Sequence, residues 1–80
     1  MTRIRLDSPE RRRELRRLLP PKFDTLSGKI GEREAKYLAL FLGAYDLPEL
    51  NYREIGGLER VSQQRVSQII HRGVKKLEEQ

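Results

Sequence analysis

One apolar series near the end of the chain constrains the fold most. Val66, Ile69, Ile70, Gly73, Val74 and Leu77 fall at i, i+3, i+4, i+7, i+8 and i+11. That spacing puts all six on one stripe of a helix, and a strand with its period of two cannot produce it. Just upstream, Tyr52, Ile55 and Leu58 mark a shorter helix, and Asn51 with Glu54 approximates a capping box at its start. The rhythm breaks around Arg60-Val61, and Ser62 is a residue type that caps the next helix. Two helices joined by about three residues, with a small residue in the first and apolar residues flanking the joint, describe a helix-turn-helix. Gly56 is the small residue, expected to let the second helix cross the first closely. Ile55, Val61, Val66 and Ile69 are the apolar residues that lock the pair.

The remaining segments also read as helix or loop. Asp7-Ser8-Pro9 is a helix start, and Pro20-Pro21 stops that helix, because a residue before proline avoids the helical region. Its apolar stripe is Leu15, Leu18 and Leu19, and the rest is largely arginine. Residues 20–31, "PPKFDTLSGKIG", read as a loop with at most a turn of helix, pinned by Phe23, Leu26 and Ile30. "EREAKYLALFLG" at 32–43 is a helix closed by Gly43. It carries a core stripe of Ala35, Leu38, Ala39 and Leu42, and a second stripe of Tyr37, Phe41 and Tyr45. The expectation is therefore an all-α, four-helix domain, with helices at about 8–19, 32–42, 52–59 and 62–78, ending in a helix-turn-helix. All 80 residues form a single domain, of which 1–22 is a basic N-terminal helix or arm.

Composition narrows the function. There is no cysteine, so no disulfide framework and no thiolate zinc site. No apolar run approaches the roughly 20 residues of a membrane span, and the N-terminus lacks the apolar core of a signal peptide. A soluble, cytoplasmic protein with no membrane partner is expected. His71 is the only histidine, and the carboxylates are scattered along helical faces, so no catalytic site, metal site or cofactor is expected. Net charge is +5, concentrated in residues 1–22 and again in 60–77, where Arg60, Arg65, Arg72, Lys75 and Lys76 meet no acid. A polyanion is the simplest partner for such zones.

Opposite the apolar stripe of the last helix lie Gln63, Gln64, Ser67, Gln68 and His71. A helix-turn-helix presents such residues to the major groove. Glutamine donates and accepts at once, so it can pair in a bidentate way with N6 and N7 of adenine. Arg65, Arg72, Lys75 and Lys76 flank this strip, where phosphates would lie. The expected partner is double-stranded DNA.

The segment "EREAKYLALFLG…NYREIGGLERVSQQRVSQIIHRGVKKL" resembles the C-terminal region four of the housekeeping-type bacterial sigma factors. "REAK" at 33–36, Gly43, "EIG" at 54–56, "VS" at 61–62, "RV" at 65–66, "QI" at 68–69 and "KKL" at 75–77 match that family's pattern in order and spacing. The resemblance covers about residues 32–77 and places the region-four-like domain at 32–78. It implies reading of a promoter element upstream of the start site and docking on the flap of the RNA polymerase β subunit. It puts Gln63, Gln64 and Gln68 at base-reading positions, and Arg65 and Arg33 near the DNA backbone. The family usually carries arginine then glutamate where Gln63 and Gln64 stand, so its usual promoter sequence is not implied. Ala39 and Phe41 stand where the family often has arginine, and Glu59-Arg60 where it tends to have an apolar residue followed by glycine or an acid. A complete sigma factor needs a separate domain that holds core polymerase, and 80 residues have no room for one. The expectation is a free-standing regulator that binds DNA, or that docks on polymerase and redirects the resident sigma factor.

Two other roles fit the same residues. One is a protein-interaction module, anti-sigma-like, that docks on polymerase or a sigma factor through Tyr37, Phe41 and Tyr45. An exposed apolar face marks a partner surface, unless Leu15, Leu18 and Leu19 of the first helix cover it. The other is a homodimeric operator-binding repressor using the same helix-turn-helix.

Overall fold

The computed structural model describes residues 8–79 and is all-α, with five helices among the described residues: α1 (Pro9–Leu18), α2 (Phe23–Ile30), α3 (Glu32–Leu42), α4 (Tyr52–Glu59) and α5 (Gln63–Glu78). Arg3, Arg5 and Asp7, at the basic N-terminus, lie outside the described residues. The helix starts follow their capping chemistry. Ser8 Oγ accepts from the Arg11 amide at 3.1 Å. Asn51 Oδ1 accepts from the Glu54 amide at 2.8 Å, and Glu54 returns the bond to the Asn51 amide at 3.0 Å. Ser62 Oγ accepts from the Arg65 amide at 3.1 Å. Each such cap satisfies a backbone donor that the first turn leaves unpaired.

The segment expected as a loop, 20–31, contains a two-turn helix. Phe23, Leu26 and Ile30 sit at i, i+3 and i+7, so α2 buries Leu26 and Ile30 in the core with Phe23 partly buried against it. Its N-cap, Lys22, makes no side-chain cap, so α2 rests on packing against α3 and α5. Tertiary burial outweighs weak local propensity here.

Helix α3 is the centre of the fold. Ala35 and every residue from Tyr37 to Leu42 are buried, and α2, α4 and α5 all pack on it. It ends at Gly43, which is left-handed at φ 66°, ψ 35°. A side chain there would be strained, and its Cβ would also lie 2.9 Å from Glu49 Cβ. Leu15 of α1, Leu26 of α2, Ile55 of α4 and Val66, Ile69 and Ile70 of α5 complete one continuous core. Burial of each such side chain stabilises by about 1.5–3 kcal/mol.

Helix α1 lies across the C-terminal end of α3 and reaches α5. Leu15 is its one buried residue, and its arginines supply the other contacts. Arg16 donates twice to the Leu42 carbonyl, at 2.9 and 2.6 Å, satisfying an acceptor that the end of α3 leaves open. Glu49 pairs with both Arg12 and Arg16. Arg11 meets Glu78 of α5 at 2.8 Å, a hydrogen bond that raises the Arg11 pKa further.

Candidate nucleic-acid interface

The joint between α4 and α5 is the three residues Arg60, Val61 and Ser62. The Val61 amide donates to the Gly56 carbonyl at 2.9 Å. A Cβ on Gly56 would stand 2.7 Å from the Val61 carbonyl oxygen, well inside contact distance. The close approach foreseen at Gly56 therefore exists, and the group that comes close is the carbonyl of the turn. Arg60 takes the left-handed conformation at φ 58°, ψ 43°, which usually falls to glycine or asparagine. Lys36 of α3 pairs with Glu59 at 3.0 Å and ties the end of α4 to the central helix.

This joint fixes which face of α5 is free. Val66, Ile69, Ile70, Gly73, Val74 and Leu77 are buried, while Gln63, Gln64, Arg65, Gln68, His71, Arg72, Lys75 and Lys76 are exposed and Ser67 is half-buried. At 100° per residue, Gln64, Gln68, His71 and Lys75 lie on the middle line of the free face. Arg65, Arg72 and Lys76 form one flank. Gln63 and Ser67 lie on the other flank, and Gln63 sits beside Arg12, Tyr52 and Arg53 at the edge of a cleft. The five expected base-reading residues thus share one surface, with Gln63 at its border. Between Gln63 and Leu77 that surface carries no acidic residue.

Local hydrogen bonds restrict two of these side chains. His71 Nδ1 lies 2.7 Å from the Ser67 carbonyl oxygen and 3.2 Å from Ser67 Oγ. A carbonyl only accepts, so Nδ1 carries the proton and Nε2 is the ring nitrogen turned to other partners. Lys76 Nζ donates to the Ile30 carbonyl at 3.3 Å, so this lysine closes the C-terminal end of α2. Of the four cations expected along α5, Arg65, Arg72 and Lys75 are the exposed ones with no such backbone anchor in view. Arg33 is exposed in the first turn of α3, next to Glu34, which packs against Gly73 on the buried side of α5. It lies by the C-terminal half of α5, away from the glutamines.

The aromatic stripe is a correction to the sequence reading. Tyr37 and Phe41 are 4 % and 1 % exposed, so neither offers a face to a partner. The covering group is also different from the expected trio of leucines. Leu15 is buried in the core, Leu19 is partly buried, but Leu18 is exposed. Phe41 is sealed by Tyr52, stacked at 5.1 Å between centroids, and by the Arg12 guanidinium, 4.6 Å above the ring. Tyr45 alone remains half-buried. Its hydroxyl donates to the Pro20 carbonyl at 2.7 Å, and its ring meets Phe23 edge-on at 5.8 Å. Burial pushes its phenol pKa up. Phe23, Tyr45 and Leu47, rimmed by Glu32 and Lys36, line a shallow apolar groove.

Arg12 and Arg53 had no place in the sequence-based site. Both line the cleft next to Gln63. Arg53 follows the Asn51 cap by two residues, and that position in the first turn of α4 was the available signal.

Among the described residues, no helix is long and apolar enough to cross a membrane. No curated protein and no solved structure matches the chain. The family model described as "Sigma-70, region 4" matches residues 29–79, which takes in the end of α2 and all of α3, α4 and α5. The fold is the all-α helix-turn-helix expected from that family, and the family is one of DNA-binding domains of sigma-factor type. With its helix-turn-helix intact and well over half its length matched, the chain belongs to the sigma-70 region 4 family.

Proposed function

We propose that this chain is a transcription regulator that reads duplex DNA with α5 and contacts RNA polymerase. One observation carries the DNA half: from Gln63 to Leu77 the free face of α5 carries no acid, with Gln64 and Gln68 on its middle line and Arg65 and Arg72 along one flank. Glutamines one turn apart on that line suit successive base edges, with adenine the preferred partner. The arginines suit phosphates along that flank, and Lys75 suits one beyond the C-terminal end of the base-reading row. His71, held by the Ser67 carbonyl, offers Nε2 to the groove.

A selection on random duplexes tests this reading. Gln64→Ala and Gln68→Ala should each relax preference at one position of the selected site, with about 1–3 kcal/mol lost there and little elsewhere. If the parent and both variants return one consensus, these residues do not read bases.

Family membership supports the polymerase half. The surface available for it is the groove of Phe23, Tyr45 and Leu47, because the Tyr37–Phe41 face is buried. Direct binding of the purified protein to purified RNA polymerase, measured without DNA, checks this part separately.

A further inference from the structure

A cleft between α1 and the start of the helix-turn-helix borders the reading strip and shares Gln63 with it. It has a volume of about 400 Å³ and is lined by Arg12, Phe41, Asn51, Tyr52, Arg53 and Gln63. No acid lines it. Its two cations come from different places: Arg53 from α4, and Arg12 from α1, which lies outside the residues matched by the family.

Arg12 is held unusually firmly for a surface arginine. Its guanidinium lies over the Phe41 ring at 4.6 Å, and Nη1 is paired with Glu49. Its Nε is buried and has no acceptor. That Nε is closed off from solvent, so an anion entering the cleft meets the exposed part of the Arg12 side chain, and Arg53 adds the second charge. Asn51 and Gln63 add neutral polar groups at the same edge.

We propose that this cleft takes a phosphate of the DNA backbone, so that α1 is part of the DNA interface and Arg12 is one of its phosphate-binding residues. The inference rests on the DNA-reading role of α5, because Gln63 is both the first residue of the reading helix and a wall of the cleft. A duplex whose groove is filled by Gln64 and Gln68 runs its backbone past Gln63. The phosphate then meets a guanidinium already fixed in place by Phe41 and Glu49, so little side-chain freedom is lost on binding. A groove-edge contact of this kind positions the protein and carries no sequence preference.

Two measurements on the full chain test the proposal. In the first, the Arg12 Nε–H signal is followed by ¹H–¹⁵N NMR as a short duplex is added. It should shift together with the backbone amides of Gln64 and Gln68. An Arg12 signal that stays fixed while those amides move overturns the proposal and leaves the DNA reading standing. No movement in either refutes the DNA reading itself. If 10 mM inorganic phosphate moves the Arg12 signal and the duplex does not, the cleft is a small-anion site and the proposal fails. In the second, Arg53→Ala should flatten the log–log salt dependence of duplex binding by about 0.9. Its affinity deficit against the parent should then shrink about 3.5-fold between 50 and 200 mM salt. An unchanged slope overturns the proposal, since Arg53 is exposed and its loss leaves the core intact.

Discussion

Gly56 and Gly57 are neighbours in α4, and the structure predicts opposite outcomes for the same substitution. Alanine in a helix interior is favoured over glycine by about 1 kcal/mol. At Gly57 a Cβ meets nothing within 4 Å, so Gly57→Ala should raise stability by about that amount. At Gly56 the same gain is opposed by the Val61 carbonyl, 2.7 Å from the new Cβ. That oxygen belongs to backbone and cannot swing away without moving the turn. Overpacking of this kind costs about 1–3 kcal/mol. The displaced turn also weakens the Val61 amide bond to Gly56, worth about 1 kcal/mol. The net effect of Gly56→Ala is a loss of about 1–3 kcal/mol. In a domain of this size 1 kcal/mol moves the midpoint by about 4–8 °C. Thermal melts by circular dichroism should therefore rise by at least about 4 °C for Gly57→Ala and fall by at least about 4 °C for Gly56→Ala. A Gly56→Ala protein that melts at or above the parent temperature would show that the turn yields freely and that the close approach does not hold α5 in place.

Three further outcomes follow from single contacts. Lys75→Ala should flatten the salt dependence of duplex binding by about 0.9, whereas Lys76→Ala should change it much less and instead lower stability by about 0.3–1 kcal/mol, because Lys76 closes the end of α2; equal slopes for the two variants would contradict this. Arg60→Gly relieves a left-handed residue and should raise the melting midpoint by a few degrees, for about 1 kcal/mol; a lower midpoint would count against strain at that position. Burial holds the Tyr45 phenol above its ordinary 10.0, so the unfolded chain ionises first. Stability contributed by Tyr45 is then complete below about pH 10 and is lost as pH rises through the folded value. Tyr45→Phe should lose about 1 kcal/mol at neutral pH, with the bond to the Pro20 carbonyl, and should soften the alkaline fall in urea-melt stability; an identical alkaline profile would refute the assignment.

The elements that sequence made legible are those with strong local chemistry. Helix α5 had both its apolar series and Ser62, and α4 had a capping box that forms in full. Helix α2 was hidden because Pro20, Pro21, Ser27 and Gly28 read as breakers, and because it lacks a side-chain cap. The i, i+3, i+7 spacing of Phe23, Leu26 and Ile30 was present but short. The free face of α5 could be read from periodicity alone, since burial of one stripe defines the other. What could not be read was which side chain covers Phe41. Arg12 lies 29 positions away in sequence, and an arginine in a run of arginines gives no sign that it will settle on an aromatic ring. Nor could sequence show that Lys76 reaches the Ile30 carbonyl at the end of α2, because a lysine's long stem lets its charge land well away from its own helix position.

The pairing of Arg11 with Glu78 joins the two ends of the described chain, and Leu15 and Leu77 sit in one core. This has a consequence for synthesis. Synthesis runs in the direction from α1 to α5, and Leu77 is among the last residues of this core to emerge. Until then α3 lacks most of the surface that α5 buries against it, so a nascent or prematurely ended chain has no complete core to close. The helix proposed to read DNA is also the helix that completes the fold. A shortened product that had lost the last turns of α5 would forfeit Val74 and Leu77 from the core and the Arg11 clasp on α1 together. Such products would present exposed apolar helices to the cell's proteases in place of a competing DNA-binding surface.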